Sequence, residues 1–524
     1  MGLDLLGPAA TRIATYLDSL TWVEIALPLF SLCWAISYAR GKGYPTVPGA
    51  PVYGYNSRFE PSFMLKSRTY TGFYDILSKG YTMLKDVPFV IPRHDTNINI
   101  LPIKYLDEIR LMPKHILNSH LVLISQMTPK WTWLQPAADS DLVTRVLLTK
   151  LNPDLQKYVD ITRLELDSAF KSDFPRHDEE WTEVDFQPLI RRVLTRISAK
   201  IFLGEPACLN EDWLRIAIGY TAGALEVTKD LHKFPSWTHF LVAPLLPSRR
   251  RLRRELDIAM KIVEKQIQLH DQAERDGVKN DDTLLDWMLD NCSDKENGVE
   301  AMTIFQCFIA MASIHTTEFS LANVLFDLCA HPEWFPVLRE ELDEVIRAHG
   351  HIGEKLPAKQ WLQKLEKMDS LLAETLRLYP TMLTSIQRLA LEKVQLKDGT
   401  VIPKGARLAW ASLHHVTDPD VDGTLAAWDP MRNYRKRHSS SGENLNKFVA
   451  GQINESTLGF GYGNQACPGR YFAVNEIKMM LARLLLEFEF KFPEGKSRPK
   501  VFFVGEIACL DHDATLMMRK VRTC

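Results

Sequence analysis

Polar and apolar positions divide the chain into a short apolar run near its start and a long body dominated by helical periods. Leu20 to Ala39 is apolar over about the twenty residues a helix needs to cross hydrocarbon, interrupted by Glu24 and Pro28. A membrane span over about 20–39 is expected within an N-terminal segment of residues 1–42. A buried or interfacial helix, or a signal peptide's apolar core, is the competing reading. Few positive charges precede the run and no small-residue cleavage site is evident, which argues against a signal peptide. Arg40 and Lys42 follow it directly and favour a cytoplasmic body. Tyr44-Pro45-Thr46-Val47-Pro48-Gly49-Ala50-Pro51 cannot continue a helix, so residues 43–54 are expected to form a stiff hinge and residues 55–524 the body.

From Tyr55 to about Leu101, short β-branched and aromatic runs such as Val87-Pro88-Phe89-Val90-Ile91 suggest a small sheet, with Pro88 confining that run to an edge. Helical periods take over from Lys104 and include a helix over Asp141 to Leu151. Phe234 to Leu246 is apolar and aromatic, and a basic stretch, Ser248-Arg249-Arg250-Arg251-Leu252-Arg253-Arg254, follows it. That pairing fits either a membrane-surface element or a loop packed on the core before a solvated helix. His270 to Asn297 reads as a charged connector. Met302 to Cys329 is apolar on most faces, which predicts a helix buried through the middle of a large domain. Its one polar interruption is Ser313-Ile314-His315-Thr316-Thr317-Glu318, and Ser or Thr there can bend a helix by bonding back to the preceding turn. Ser370 to Tyr379 and Tyr471 to Phe490 read as helices, Ser385 to Gly405 as short strands and turns, and the alternation in Phe488-Glu489-Phe490-Lys491-Phe492 as closing hairpins.

Composition narrows the class. Of 524 residues, 46% are apolar and 24% charged, as in a folded globule, and a net charge of -2 gives no field for a nucleic-acid partner. Eight cysteines stand without paired spacing and read as reduced thiols. No internal repeat is present.

One of those thiols occupies a distinctive place. In Phe460-Gly461-Tyr462-Gly463-Asn464-Gln465-Ala466-Cys467-Pro468-Gly469-Arg470 the glycines permit close backbone approach, and Pro468 suits the start of a helix. Cys467 therefore lies beside a helix N-terminus, where the dipole and free N–H groups stabilise a thiolate. A lone thiolate suits an axial position on haem iron better than a zinc site. The alternative is a small buried hydrophobe.

The spacing of Phe460, Gly461, Gly463, Gln465, Cys467 and Gly469 resembles the haem-binding signature of the cytochrome P450 family, with Gln465 where the family usually has a basic propionate ligand. Glu374 and Arg377, before Pro380 and about ninety residues ahead of Cys467, resemble the family's Glu-x-x-Arg pair, with Arg432 as its third member. Arg145 and Arg388 fall where relatives place further propionate ligands. Ala312, Ser313 and Thr316 match the helix that supplies protons for oxygen activation, His315 standing in place of the acid; Thr316 and His315 are the catalytic candidates. The resemblance implies a mainly α fold with a small β region behind a single N-terminal transmembrane helix, and haem b held by Cys467. It also implies monooxygenase activity fed with NADPH electrons by cytochrome P450 reductase, with cytochrome b5 as a further partner, at the endoplasmic reticulum membrane. The His-Thr-Thr variant is similar to fungal enzymes of terpenoid and related secondary metabolism. A terpenoid, meroterpenoid or indole-terpenoid substrate follows, with Phe308, Ile309, Thr381 and Met382 as pocket candidates. A reductase-independent haem-thiolate isomerase or dehydratase, and a haem sensor, are the competing classes.

Overall fold

The computed structural model describes residues 43–521 apart from 175–179, 279–281 and 440–443, together with positions 27, 28, 31, 32 and 35. The expected span at 20–39 lies almost wholly outside the described residues. Among the described residues one helix is long and apolar enough to cross a membrane, and it is internal: Val299–Ala330.

The body is mainly helical with small sheets at its margins. Residues 55–101 depart from the expected sheet. Helices α1 (Ser62–Thr71) and α2 (Phe73–Leu84) fill most of the stretch, and only β1 (Phe89–Pro92) and β2 (Asn97–Ile100) are strands. The apolar positions of α2 that are buried, Phe73, Ile76, Leu77 and Gly80, follow a helical period, and this outweighed the aromatic and β-branched content. Gly80 also lets β1 approach, since a Cβ there would lie 2.8 Å from the Phe89 ring. With β3 (Leu117–Asn118), β5 (Gln387–Ala390) and β8 (Arg407–Ala409), the hairpin forms a five-stranded sheet in the order β1-β2-β8-β5-β3. The run after Pro88 is indeed an edge strand.

The remaining strands form smaller sheets: β4 (Thr182–Val184) with β12 (Leu516–Lys520) and β9 (Phe488–Lys491), β6 (Val394–Gln395) with β7 (Val401–Ile402), and β10 (Phe502–Val504) with β11 (Ile507–Cys509). The alternating Phe488 and Phe490 are buried as the strand reading requires.

Further along come α3 (Ser119–Ser125), α4 (Leu142–Val146), α5 (Leu155–Ser172), α6 (Phe186–Phe202), α7 (Glu211–Leu231), α8 (Pro247–Arg275), α9 (Val299–Ala330), α10 (Glu366–Leu378), α11 (Arg432–Arg437) and α12 (Arg470–Glu487). The helix expected over Asp141–Leu151 is α4 followed by a π turn over Leu147–Leu151. α9 is the axis of the molecule and packs against α6, α7, α8, α10 and α12. A helix apolar on every face is stable in water only when neighbours cover it, and here they do. The exceptions along its middle, Ala312 and Thr316, are exposed although the residues around them are buried or half-buried.

Candidate functional site: a thiolate loop facing a notched helix

Backbone geometry fixes the loop around Cys467. Gly461 and Gly463 both adopt φ +78°, and a Cβ on Gly463 would fall 2.1 Å from the Arg110 carbonyl oxygen, so only glycine fits there. The Cys467 N–H donates to the Phe460 carbonyl at 2.8 Å and closes the loop, while Gly469 caps α12. From outside the loop, Asn152 Nδ2 donates to the Pro468 carbonyl at 3.0 Å. The Cys467 side chain is accessible although protein surrounds it densely. Burial pushes its thiol up; the N–H groups of Gly469 and Arg470 and the Arg470 charge pull in the other direction. The helix start expected at Tyr471 falls at Arg470.

Behind the loop, a polar cluster is sealed in the core. Glu374 receives two hydrogen bonds from Arg377, at 2.6 and 2.9 Å, and one from Arg432 at 3.2 Å, and all three residues are buried. The remaining guanidinium donors reach the carbonyls of Val416, Leu425, Ala427 and Thr424. α10 also touches the run into the thiolate loop, because a Cβ on Gly459 would meet the Leu376 carbonyl at 3.2 Å. The cluster thus braces the loop from a distance.

On α9, Thr316 Oγ1 donates to the Ala312 carbonyl at 2.8 Å, the back-bonding expected of a helical Thr. Ala312 and Thr316 share one face of α9, and Phe308 lies one turn earlier on that stripe. His315 points elsewhere. Its Nε2 donates to the Ile218 carbonyl on α7 at 3.0 Å, and its Nδ1 lies 3.7 Å from Glu318, which Arg191 of α6 clasps at 2.6 and 2.7 Å. Burial would raise the Glu318 carboxyl, but the nearby His315 and the hydrogen bonds from Arg191 outweigh it and hold the carboxyl below its ordinary value.

The propionate candidates fare differently from one another. Arg388 is buried and donates to the carbonyls of Gln387 at 2.7 Å and Tyr462 at 3.1 Å; its Nε has no partner, and no carboxylate pairs with it among the described residues. Burial lowers it to about 10, which still leaves it cationic at neutral pH. A buried cation short of a counter-charge beside the thiolate loop fits a haem propionate. Arg145 does not fit. It is committed to Glu296 at 2.8 Å and Asp141 at 2.9 Å, and Glu296 precedes the first residue of α9. Ala312 lies 13 residues beyond that start, about 20 Å along the axis. Gln465 does not fit either: its amide is spent on the backbone of Met112, Leu117 and Ser119. Phe460 contributes its carbonyl to the loop and its ring to the core. At Gly469, φ is ordinary and a Cβ would meet no protein atom within 4 Å, so protein packing alone does not call for glycine there.

Sequence reasoning missed Asn152, Arg191 and the partners of Gln465. Each acts through backbone groups or across large sequence separations, and neither leaves a local pattern.

A single cysteine thiol at a helix start, a buried unpaired guanidinium and a notched apolar helix define a haem-thiolate protein. Residues 141–513 match the family model for Cytochrome P450. The chain belongs to the cytochrome P450 family, and it is a cytochrome P450 monooxygenase with haem bound through a cysteine thiolate. Over all 524 residues of both chains it is 95% identical to the Cytochrome P450 monooxygenase ATR4 of Stachybotrys chlorohalonatus (strain IBT 40285). It is 37% identical to the Cytochrome P450 monooxygenase sdnB of Sordaria araneosa over 96% of this chain and 93% of that one. The Ent-kaurene oxidase P450-4 of Gibberella fujikuroi (strain CBS 195.34 / IMI 58289 / NRRL A-6831) is 33% identical over 94% of this chain and 99% of that one. Retinoic acid bound cyanobacterial CYP120A1 shares the fold, with a TM-score of 0.66, 16% identity and coverage of 91% and 99%.

Proposed function

We propose that this monooxygenase oxidises a lipophilic terpenoid, meroterpenoid or indole-terpenoid intermediate of fungal secondary metabolism. The observation that carries the proposal is the exposed Ala312–Thr316 face on an otherwise covered apolar helix, supported by ent-kaurene oxidase among the relatives. Bound haem supplies the oxidising chemistry, one oxygen atom entering a C–H bond and the other leaving as water. Cys467 would hold the haem iron through its thiolate. Arg388 neutralises a propionate, Gly461 and Gly469 keep the loop close to the ring, and Phe460 backs it. Thr316 holds a proton donor at the cavity face, and Phe308, Thr381 and Met382 shape the space above it. His315, turned toward Ile218 and Glu318, contributes to proton supply from the α6–α7 side rather than by contact with substrate. Glu374, Arg377 and Arg432 hold the loop.

Electrons come from NADPH through cytochrome P450 reductase, with cytochrome b5 as a second donor, and the protein sits at the endoplasmic reticulum membrane with its body in the cytoplasm. Phe234, Trp237, Phe240, Leu241 and Leu245 are all exposed ahead of the basic start of α8, which supports a membrane-facing patch. The domain reading of anchor 1–42, hinge 43–54 and body 55–524 belongs to the same proposal.

Coexpression with the reductase, feeding of terpenoid extracts under labelled dioxygen and mass spectrometry test this reading. Label should enter product only with NADPH and reductase present. Turnover without either would favour an isomerase or dehydratase.

A further inference from the structure

Gln465 stands in the thiolate loop where the resemblance to the family leads to the expectation of a basic residue, and its amide makes a complete set of contacts. Oε1 accepts from the Ser119 N–H at 2.8 Å, while Nε2 donates to the Leu117 carbonyl at 2.7 Å and the Met112 carbonyl at 3.3 Å. This set needs one acceptor and two donors on one planar group. Arginine offers donors only, ionised glutamate acceptors only, and an amide offers both. The neighbouring Asn464 repeats the attachment, its N–H donating to the Arg110 carbonyl at 3.0 Å and its side chain to the carbonyls of Leu111 at 3.2 Å and Met112 at 3.3 Å.

The stretch so held runs through β3 into α3, where Asn118 caps the helix by accepting from Leu121 N at 2.9 Å. α3 carries His120. Its Nε2 donates to the Ala137 carbonyl at 2.6 Å, and its ring meets Phe308 of α9 edge-on at 5.6 Å. Phe308, Ala312 and Thr316 recur every four residues and share a stripe, so the His120–Phe308 contact stands on the cavity side of α9.

We propose that Gln465 is a positioning residue that ties the thiolate loop to α3 and thereby sets the His120–Phe308 wall of the substrate cavity, in place of an ionic contact to haem. The proposal rests on the haem-thiolate reading of the loop. It predicts that bulky ligands of the cavity feel Gln465 whereas small ligands of the iron do not.

The test uses the haem-loaded full chain, its Gln465→Glu and Gln465→Arg variants, and the same changes combined with His120→Ala. Hydrogen exchange across residues 112–125 and spectral dissociation constants for imidazole and 4-phenylimidazole are measured on each. Both single variants should exchange faster at 112–125 and weaken 4-phenylimidazole about fivefold, the scale of one lost hydrogen bond, with imidazole unchanged. In the His120→Ala background the fivefold change should disappear. Wild-type exchange and affinities in Gln465→Arg would overturn the proposal, as would equal shifts for both azoles or full additivity with His120→Ala. Should Gln465→Glu fail to fold, Gln465→Arg supplies the test alone. A parent protein whose reduced carbonyl adduct lacks thiolate character would sink the haem reading instead, while exchange at 112–125 still reports on the strut.

Discussion

Two of the polar clusters that interrupt the apolar interior are built in opposite ways. Around Glu374 the carboxylate takes hydrogen bonds from Arg377 and Arg432, and the guanidinium donors left over meet backbone carbonyls and the Thr424 hydroxyl, the three charged residues all being buried. Along the middle of α9, Thr316 has only carbonyls of its own helix as acceptors and remains exposed. A buried polar group without partners is costly, so a closed cluster can serve rigidity alone. An open one keeps a hydroxyl free to turn toward a bound molecule. In the proposed reading the first region holds the thiolate loop still and the second works on a bound molecule.

Breaking the closed cluster should have the largest effect. Glu374→Ala strands two buried guanidinium groups, a penalty of about 3–5 kcal/mol, and should leave little haem-loaded protein after purification, measured as the ratio of haem absorbance to protein. Breaking the open cluster should spare the fold. Thr316→Ala removes an exposed hydroxyl, so stability should stay within about 0.5 kcal/mol while product formed per NADPH falls about tenfold or more as electrons drain to peroxide. Unchanged coupling would remove Thr316 from the proton path. Glu318→Gln sharpens the contrast, because it breaks the link between His315 and Arg191 without touching the Ala312–Thr316 face. It should slow turnover and shift its pH profile with little change in the binding of 4-phenylimidazole.

A further prediction concerns a group that belongs to neither cluster. Glu476 on α12 is buried, its Oε1 has no partner, and burial pushes its carboxyl up to about 8 from 4.5. A carboxyl whose folded value is raised contributes stability fully below its unfolded value, and that contribution is lost as pH rises through the folded value. Glu476→Gln should therefore gain thermal stability over the parent between about pH 5 and pH 8, with a difference in Tm that grows with pH. A constant difference would mean that the carboxyl is neutral or charged throughout.

How much was legible in the sequence followed from whether the signal was local. The apolar run Met302–Cys329 gave α9 nearly to its ends, and the spacing of Glu374, Arg377 and Cys467 gave the brace and the loop, because a helix face and a glycine turn are written in adjacent residues. Residues 62–84 were misread because aromatic and β-branched content obscured a helical period that burial later exposed. The carboxylate partner of Arg145 was not legible, since a helix charge shows nothing of its partner, and Glu296 lies 151 residues away. Arg191 is likewise 127 residues from Glu318. Gln465 left no trace of its role because its partners are backbone groups, which every residue offers.

The central claim is that Cys467 binds haem iron as a thiolate, and the absorption spectrum of the reduced carbonyl adduct tests it most directly. The purified protein should show the thiolate-type band, and Cys467→Ala should lose it while other cysteine substitutions, such as Cys307→Ala, retain it. A colourless protein, a band typical of imidazole ligation, or a thiolate band that survives Cys467→Ala would contradict the account.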